Sequence, residues 1–402
     1  MGYNRDVRHV IIGNGVAGTS AASAIRKIDG SCDIVILSEE AAPFYSRIRL
    51  IDYLAGQTDE QGLIIYRDEW YEKNRVRLLL NSTVTAIDTR ARAVQCADGT
   101  TIEYNRLLIA AGSLPIIPPI PGSRMQGVFT LRSVEDARIM VEYTRGITRA
   151  VILGGGLLGI EVGNALRKRG LEVTVVEVFS RLLPRQTDPE ASAILQRTFE
   201  GMGLRFSLGA RAIRFEGGEA VTGLLLDDGQ MLEAEMVILS AGVRPRVSLL
   251  KGTGAQIGVG VIVNDRMETG VEGVYAAGDI AEHRSVLYGI WPAAEQQGST
   301  AGTVMAGGHA IYEGTVPSNY LKVAGVDLLS AGSIDAEGKL ECVIRKDAEQ
   351  GVYRKLVFRD GALAGCILCG DLRGKREILD ALQRGLGKDD LQQIMKDGGF
   401  LT

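Results

Sequence analysis

One local pattern occurs twice in this chain and constrains its fold more than any other feature. Residues 10–20 read VIIGNGVAGTS and residues 151–161 read VILGGGLLGIE, so each pairs an apolar strand-like run with a helical segment across a glycine-rich turn. The glycines are Gly13, Gly15 and Gly18 in the first copy and Gly154, Gly156 and Gly159 in the second, both at G-x-G-x-x-G spacing. In such a turn the first glycine makes the bend, the second allows close approach to the backbone, and the third lets helix and strand pack. The helix N-terminus then offers free N–H groups and a positive dipole end to a pyrophosphate.

A carboxylate about 20 residues further on completes each copy. It is Glu39 or Glu40 in the first copy and Glu177 in the second, and a carboxylate there accepts hydrogen bonds from ribose hydroxyls. A single motif is weak, because glycine-rich bends without a ligand also match it, but two complete copies predict two dinucleotide sites. Because Glu177 would repel a 2′-phosphate, the second site is predicted to favour NADH. Arg181 is either a solvated surface charge or a residue that softens this preference.

The order of apolar runs predicts several domains. A chain of 402 residues exceeds one ordinary core. Strands alternate with helices in the first two blocks, which favours parallel sheets, and the segment SLPIIPPIPG (113–122) between them is predicted to be a stiff linker. From about Val316 the pattern changes to hairpins followed by amphipathic helix, which predicts an antiparallel sheet.

Composition excludes several classes of function. A formal net charge of −4 provides no general attraction for nucleic acid. The sequence contains no run of about 18 apolar residues, so no membrane span is predicted. Because the first strand is predicted almost at the N-terminus, no signal peptide is expected, and five scattered cysteines indicate a reducing, cytoplasmic setting. Three dispersed histidines are too few to predict a metal site.

Three more motifs follow in order: IAAGSLP (109–115), ILSAGVRP (238–245) and YAAGDIAEH (275–283). With the two glycine turns they resemble the FAD- and NAD(P)H-dependent pyridine nucleotide-disulfide oxidoreductase superfamily over nearly the whole chain. The resemblance implies an α/β fold with two Rossmann-like dinucleotide-binding domains, for FAD and NAD, and a C-terminal α+β interface domain. The implied FAD-binding domain is split between residues 1–115 and 243–315. The implied NAD(P)H-binding domain spans 116–242 and the interface domain 316–402.

The resemblance also implies how the cofactors are held. The turn at Gly13 would hold FAD and the turn at Gly154 would hold NADH. Asp279 would bind the ribityl chain of FAD, although it could instead cap its own turn. Ile290 and Trp291 would place a helix N-terminus near the flavin pyrimidine, where its positive end stabilises the reduced flavin, although Trp291 could be a core aromatic. The implied cofactor-binding residues are Gly13, Gly15, Gly18, Glu39, Glu40, Arg47, Val84 (adenine end of FAD), Ala111, Gly112, Gly154, Gly156, Gly159, Glu161, Glu177, Gly242, Gly278, Asp279, Ile290, Trp291 and Lys322 (near the flavin, or else an ordinary exposed lysine).

The segment PFYSRIRL (43–50) indicates the subclass. Disulfide reductases carry a C-x4-C pair in this region, and NADH oxidase and CoA-disulfide relatives carry one cysteine, whereas this chain has none between Cys32 and Cys96. Without a thiolate no dithiol relay can form. The segment is similar instead to rubredoxin and ferredoxin reductases and to the flavin portion of NADH-dependent nitrite reductase. That resemblance implies Arg47 and Glu161 as catalytic residues, paired near the nicotinamide and the flavin N5; Glu161 could also be a simple helix N-terminal charge.

The predicted function is transfer of electrons from NADH through FAD to a one-electron carrier. Rubredoxin is the first choice, with ferredoxin or a nitrite reductase subunit as other partners, and the protein is expected to be a monomer or homodimer. Such carriers are usually acidic, so a basic docking face is predicted in the last domain; the alternative is a solvated rim. Its residues are Arg345, Lys346, Arg354, Lys355, Arg373, Lys375 and Arg376.

Other predictions stay open from the sequence. An NADH oxidase that uses O₂ directly is one alternative function, and an NADH-sensing flavoprotein that acts by binding is another. Cys366 and Cys369 form a C-x-x-C, a spacing that could bind metal or cycle as a dithiol. Because they lie in the apolar run ALAGCILCG, burial as small apolar residues is the preferred interpretation.

Overall fold

The computed structural model describes residues 7–316, 318–323 and 326–394. These residues form two compact units, each discontinuous in sequence. Unit 1 is built from the described residues of Met1–Arg47, Glu60–Leu114 and Val243–Thr315. Unit 2 is built from the described residues of Ile48–Asp59, Pro115–Gly242 and Val316–Thr402.

The strands are short, as expected for a chain with many glycine turns. In chain order they are β1 (Arg8–Ile12), β2 (Asp33–Leu37), β3 (Val76–Leu79), β4 (Val84–Asp88), β5 (Ala93–Cys96), β6 (Thr101–Glu103), β7 (Arg106–Ile109), β8 (Ser113–Pro115), β9 (Val128–Phe129), β10 (Arg149–Leu153), β11 (Glu172–Glu177), β12 (Leu204–Leu208), β13 (Ala212–Gly217), β14 (Val221–Leu226), β15 (Met231–Glu233), β16 (Met236–Leu239), β17 (Val243–Pro245), β18 (Val261–Val263), β19 (Val274–Ala276), β20 (Ala281–His283), β21 (Ser318–Val323), β22 (Val326–Gly332), β23 (Glu341–Asp347), β24 (Val352–Arg359) and β25 (Ala362–Cys369).

The helices are fewer. They are α1 (Val16–Ile28), α2 (Leu50–Leu54), α3 (Asp68–Lys73), α4 (Val134–Tyr143), α5 (Leu157–Lys168), α6 (Pro189–Gly201), α7 (Trp291–Met305), α8 (Lys375–Arg384) and α9 (Lys388–Ile394). Short 3₁₀ turns lie at Gln61–Leu63 and Val247–Leu250. Within the described ranges, no helix has both the length and the apolar character needed to cross a bilayer.

Unit 1 is organised around a parallel sheet with strand order β19-β7-β1-β2-β3. The apolar residues of β1 are buried in the core of unit 1, and parallel sheets are typically covered on both faces, which is why that run is continuously hydrophobic. Parallel strands end at one edge of their sheet, so the turns that follow β1, β7 and β19 lie along that edge. A separate antiparallel sheet is formed by β4, β5 and β6.

Helices α1 and α7 of unit 1 pack unusually closely. A Cβ on Gly298 would overlap the backbone of Ala17, and one on Gly302 would overlap the backbone of Ala21. Because the contact moves from Ala17 to Ala21 along α1 as it moves from Gly298 to Gly302 along α7, the two helices run parallel. Gly298 lies seven residues after the start of α7, whereas Ala17 is the second residue of α1. The N-terminus of α7 therefore projects about 9 Å beyond that of α1 on the same side.

Unit 2 contains a second parallel sheet with strand order β12-β11-β10-β16-β9. An antiparallel sheet of order β21-β22-β25-β24-β23 forms the C-terminal portion of the same unit. Helix α8 covers one face of that sheet with its buried side chains Ile378 and Ala381. The predicted α/β class, with two Rossmann-like sheets and an antiparallel C-terminal domain, is confirmed.

Candidate functional site

The two glycine turns are built alike. Gly13 has φ +112° and Gly154 has φ +121°, values that side chains other than hydrogen rarely allow. A Cβ on Gly13 would overlap the carbonyl oxygen of Ala110, and a Cβ on Gly154 would overlap that of Ser240. Each first glycine is therefore required both by its backbone angle and by the neighbouring strand.

The second and third glycines have opposite surroundings. A Cβ on Gly15 or Gly156 would meet no protein atom within 4 Å. Both residues are N-caps, of α1 and α5, without a side-chain cap bond, so the first helical N–H groups face this open space. A Cβ on Gly18 or Gly159 would instead overlap the carbonyl oxygen of the first glycine of its own turn. The open space beside free N–H groups fits the pyrophosphate of a dinucleotide.

Glu177 is buried at the end of β11 in unit 2. Its Oε2 accepts the N–H of Gly155 at 2.7 Å, and its Oε1 accepts the N–H of Phe179 at 3.0 Å. Each carboxylate oxygen retains a further lone pair, so the group can also accept ribose hydroxyls. The Phe179 side chain is 55% exposed beside it.

Arg181 is held within the loop that follows Glu177. Its guanidinium donates to the carbonyl oxygens of Thr187 (3.3 Å) and Pro184 (3.1 Å). These bonds tie Arg181 to its own loop, and its predicted influence on the preference for NADH stays a prediction.

Ser38 occupies in unit 1 the place that Glu177 has in unit 2. The first glycine of each turn donates its N–H to the carbonyl oxygen of Leu37 or Val176, at 2.8 Å in both. The next residue along the chain is Ser38 in the first case and Glu177 in the second. The sequence carries a signal of this offset, because DIVIL is followed by Ser38 and EVTVV by Glu177 when the two copies are aligned on their strands.

The two acids after β2 have different partners. Glu39 is paired with Arg246 at 2.5 Å and is 44% exposed. Glu40 is paired with Arg47 and also accepts a hydrogen bond from the Tyr45 hydroxyl at 2.5 Å. Arg47 donates a second hydrogen bond, at 2.8 Å, to the Tyr45 hydroxyl oxygen. Burial alone would lower the pKa of Arg47, but Tyr45 and Glu40 outweigh it and raise that pKa. The predicted pairing of Arg47 with Glu161 stays a prediction.

Asn14, between the glycines of the first turn, was not identified from the sequence. Its Oδ1 accepts a hydrogen bond from the buried hydroxyl of Tyr71 at 3.0 Å, and Tyr71 in turn accepts the N–H of Phe44 at 3.1 Å. Its Nδ2 is buried and has no partner among the described residues. An amide nitrogen held in this way beside the turn fits an oxygen of a bound dinucleotide.

The turns after β7 and β19 meet at the same sheet edge. The Ser113 hydroxyl, just after Ala111 and Gly112, donates to Asp279 Oδ2 at 2.9 Å. The N–H of Gly278 donates to the buried Gln297 of α7 at 2.9 Å. These bonds bring Asp279 and α7 to the edge that carries the first glycine turn.

The remaining predicted residues of unit 1 and the lysine lie on different elements. Ile290 is the N-cap of α7, and Trp291 begins that helix with its ring centroid 5.8 Å from that of Phe44. Val84 is partly buried at the start of β4. Lys322 lies on β21, and its side chain is outside the described portion of the structure.

Glu161 and Gly242 belong to unit 2. Glu161 lies on α5, where burial, and then the Asp52 carboxylate, raise its pKa from 4.5 to about 7. Gly242 has φ +92° after β16, and its carbonyl oxygen accepts the N–H of Ile116 at 2.9 Å. A carboxyl group that titrates near neutral pH can hold or release a proton under working conditions.

The C-x-x-C thiols are buried on β25. Burial raises the pKa of Cys366 and of Cys369 to about 12 each, so neither ionises near neutral pH. Thiols in this state are poor nucleophiles and poor metal ligands. This agrees with their interpretation as small apolar core residues.

Two glycine turns of the dinucleotide-binding kind, each on its own parallel sheet, define a chain with two Rossmann-like folds, which a C-terminal antiparallel sheet follows. The chain belongs to the pyridine nucleotide-disulphide oxidoreductase family, whose model matches residues 7–298. The rubredoxin NAD⁺ reductase C-terminal domain matches residues 317–386.

The names of individual relatives indicate different functions. The chain is 34% identical over 377 residues to the assimilatory nitrate reductase electron transfer subunit of Bacillus subtilis, covering 93% of this chain and 49% of that protein. It is 31% identical to an NADH oxidase of Methanocaldococcus jannaschii, covering 95% and 91%. It matches the structure of NADH:rubredoxin oxidoreductase from Clostridium acetobutylicum with TM-score 0.82 and 27% identity, covering 95% and 96%. The chain spans about half the length of the first of these relatives.

Proposed function

We propose that this protein is an NADH-dependent flavoprotein reductase that binds FAD in unit 1 and NADH in unit 2. It would pass electrons to a one-electron carrier, with rubredoxin as the first candidate and ferredoxin or a nitrite reductase subunit as others. The observation that carries the proposal is the pair of glycine turns, each open at its second glycine, in a chain without a cysteine in the segment 43–50.

The residues of unit 1 would hold FAD. Bound FAD supplies the conversion between a two-electron donor and a one-electron acceptor. The N–H groups after Gly15 would bind its pyrophosphate, and the Asn14 amide would donate to a neighbouring oxygen. Asp279, held by Ser113, would accept hydroxyls of the ribityl chain. The N-terminus of α7, about 9 Å beyond that of α1, would place a positive dipole end near the flavin ring.

The residues of unit 2 would hold NADH. The N–H groups after Gly156 would bind its pyrophosphate, and Glu177 would accept its adenosine ribose hydroxyls. Because Glu177 is a buried carboxylate, a 2′-phosphate would meet repulsion there, and Arg181 is engaged with its own loop. These features favour NADH over NADPH. Glu161, with its pKa near 7, would hold or release a proton close to the nicotinamide.

The C-terminal domain supports a carrier as acceptor, because its family model is that of rubredoxin reductase. The predicted basic face is smaller than the sequence indicated. Arg354 and Lys355 are buried and paired with Asp371 and Asp188, so they cannot contact a carrier. The cations that remain exposed are Arg345, Lys346, Arg373, Lys375 and Arg376.

Anaerobic stopped-flow mixing tests the proposal directly. The FAD-loaded protein is reduced with NADH and then mixed in parallel with rubredoxin, ferredoxin, O₂ and CoA-disulfide. Reoxidation by a carrier that is much faster than by O₂ or CoA-disulfide is the expected result. Purified protein that neither retains nor takes up FAD would refute the proposal.

An NADH oxidase that uses O₂ is the second candidate, and the relative of that name favours it. In this case NADH consumption in air would be rapid without any carrier. The absence of a cysteine in the segment 43–50 weighs against it, since a thiolate beside the flavin is what the resemblance to NADH oxidases would require.

A further inference from the structure

A buried ionic cluster lies on the C-terminal sheet, outside the residues assigned to either cofactor. Lys355 of β24 is only 3% exposed, and its Nζ donates to Asp188 Oδ2 (3.1 Å) and to the carbonyl oxygen of Asp335 (2.9 Å). The fully buried Tyr353 donates its hydroxyl to the same Oδ2 at 2.6 Å. The other carboxylate oxygen of Asp188 accepts the N–H of Ala191 at 3.0 Å and so caps α6.

Such a cluster is poorly explained by stability alone. A lysine is almost never fully buried unless it is paired, and a buried ion pair is often no more stabilising than apolar residues of similar volume. What a pair of this kind does provide is a defined geometry, because removing one partner leaves an uncompensated buried charge. The cluster therefore fixes the position of Asp188 relative to β24.

Asp188 ends the loop that begins after Glu177, and this loop is tied to the second glycine turn. The N–H of Leu183 donates to the carbonyl oxygen of Gly155 at 3.0 Å. The Thr187 hydroxyl donates to the carbonyl oxygen of Leu183 at 3.0 Å, and its N–H donates to the same oxygen at 2.9 Å. A continuous path of hydrogen bonds thus runs from Gly155 to the residue that precedes Asp188.

We propose that Lys355 and Tyr353 are positioning residues for the NADH site. They act through Asp188 and its loop, so that the C-terminal sheet holds the loop against the dinucleotide turn. This inference rests on the proposed binding of NADH in unit 2. By linkage, NADH binding must also stabilise the portion of β24 that carries the cluster.

A matched control exists on the same elements. Glu190, in the first turn of α6, is paired with Lys346 of β23 at 2.9 Å, and the two side chains are 52% and 58% exposed. An exposed pair of this kind contributes little to geometry or stability. Glu190→Gln therefore breaks a link between the same helix and the same hairpin without touching the buried cluster.

The test uses the FAD-loaded protein and measures flavin reduction against NADH concentration. In Lys355→Met and Tyr353→Phe we expect the NADH concentration for half-maximal reduction to rise about 3- to 30-fold. The limiting rate and FAD content should stay within about twofold, because neither residue touches the reacting groups. Glu190→Gln should match the wild type. Tyr353→Phe carries the test if Lys355→Met does not fold, since it removes one hydrogen bond and leaves no unpaired charge.

Hydrogen exchange distinguishes a positioning role from a purely structural one, because only a positioning role links NAD⁺ binding to the protection of β24. NAD⁺ should slow amide exchange in β24 of the wild type, and this protection should be smaller in Tyr353→Phe. Unchanged NADH dependence in the variants, or no effect of NAD⁺ on β24, would overturn the inference. Wild-type flavin that NADH does not reduce would instead overturn the proposed function, and this is seen before any variant is made.

Discussion

Two alanine substitutions in the same glycine turn should have opposite consequences. Gly156 has an extended backbone, with φ −79° and ψ −177°, and an added Cβ would meet no protein atom within 4 Å. A Cβ on Gly159 would overlap the carbonyl oxygen of Gly154, whose N–H is held by the carbonyl oxygen of Val176 at 2.8 Å. Gly156→Ala should therefore fold normally and bind NADH poorly, whereas Gly159→Ala should fold poorly.

The magnitudes follow from these contacts. In Gly156→Ala the loss of glycine at an N-cap, about 0.5–1 kcal/mol, is offset by a similar gain from the less flexible unfolded chain. The methyl group lies where the pyrophosphate would approach and should cost at least one hydrogen bond to a charged group, about 1.5–3 kcal/mol. That is a loss of about 10- to 150-fold in NADH affinity. In Gly159→Ala the overlap with backbone should cost about 1–3 kcal/mol of stability or more.

The assays are thermal unfolding of both variants and the NADH dependence of flavin reduction in those that fold. Gly15→Ala provides a control in the other turn, because it should reduce FAD retention and leave the NADH turn intact. Gly156→Ala with wild-type affinity for NADH would refute the reasoning. So would Gly159→Ala with unchanged stability, since the overlap with Gly154 would then be absent in solution.

Four further predictions follow from the site and the docking face. Glu177→Gln should lower the ratio of kcat/KM for NADH to that for NADPH by about tenfold or more, because it removes the charge that repels a 2′-phosphate; an unchanged ratio would mean that Glu177 does not face the ribose. The rate of flavin reduction should show an inflection near pH 7 that Glu161→Gln abolishes, because the pKa of Glu161 is raised to about 7. Because the pKa of Glu161 is higher in the folded protein, its contribution to stability is complete below pH 4.5 and is lost as the pH rises through about 7. Thermal unfolding should therefore show that the wild type loses more stability than Glu161→Gln between pH 4.5 and about 7. If docking is electrostatic, the rate of carrier reduction should fall steeply as ionic strength rises past about 0.1 M, and a flat response would count against the basic face.

Local sequence was sufficient for the features of this protein whose physics is local. The role of each glycine depends on its own backbone angle and on neighbours fixed by the strand–turn–helix unit, so spacing predicted both turns and the class of fold. The change from alternating strands and helices to hairpins near Val316 likewise predicted the antiparallel C-terminal sheet. The domain boundaries and the roles of the site residues remain predictions.

Long-range partners could not be predicted in the same way. The sequence predicts Lys355 and Arg354 to be surface charges in a basic segment. In the structure β24 lies between β23 and β25, and both side chains are buried and paired with aspartates. Asn14 is held in place by a hydrogen bond from Tyr71, which is 57 residues away in sequence. Spacing along a chain limits which backbone shapes can form, so it determined the turns. Burial and charge pairing depend on which distant segments the fold brings together, and only the tertiary structure decided those.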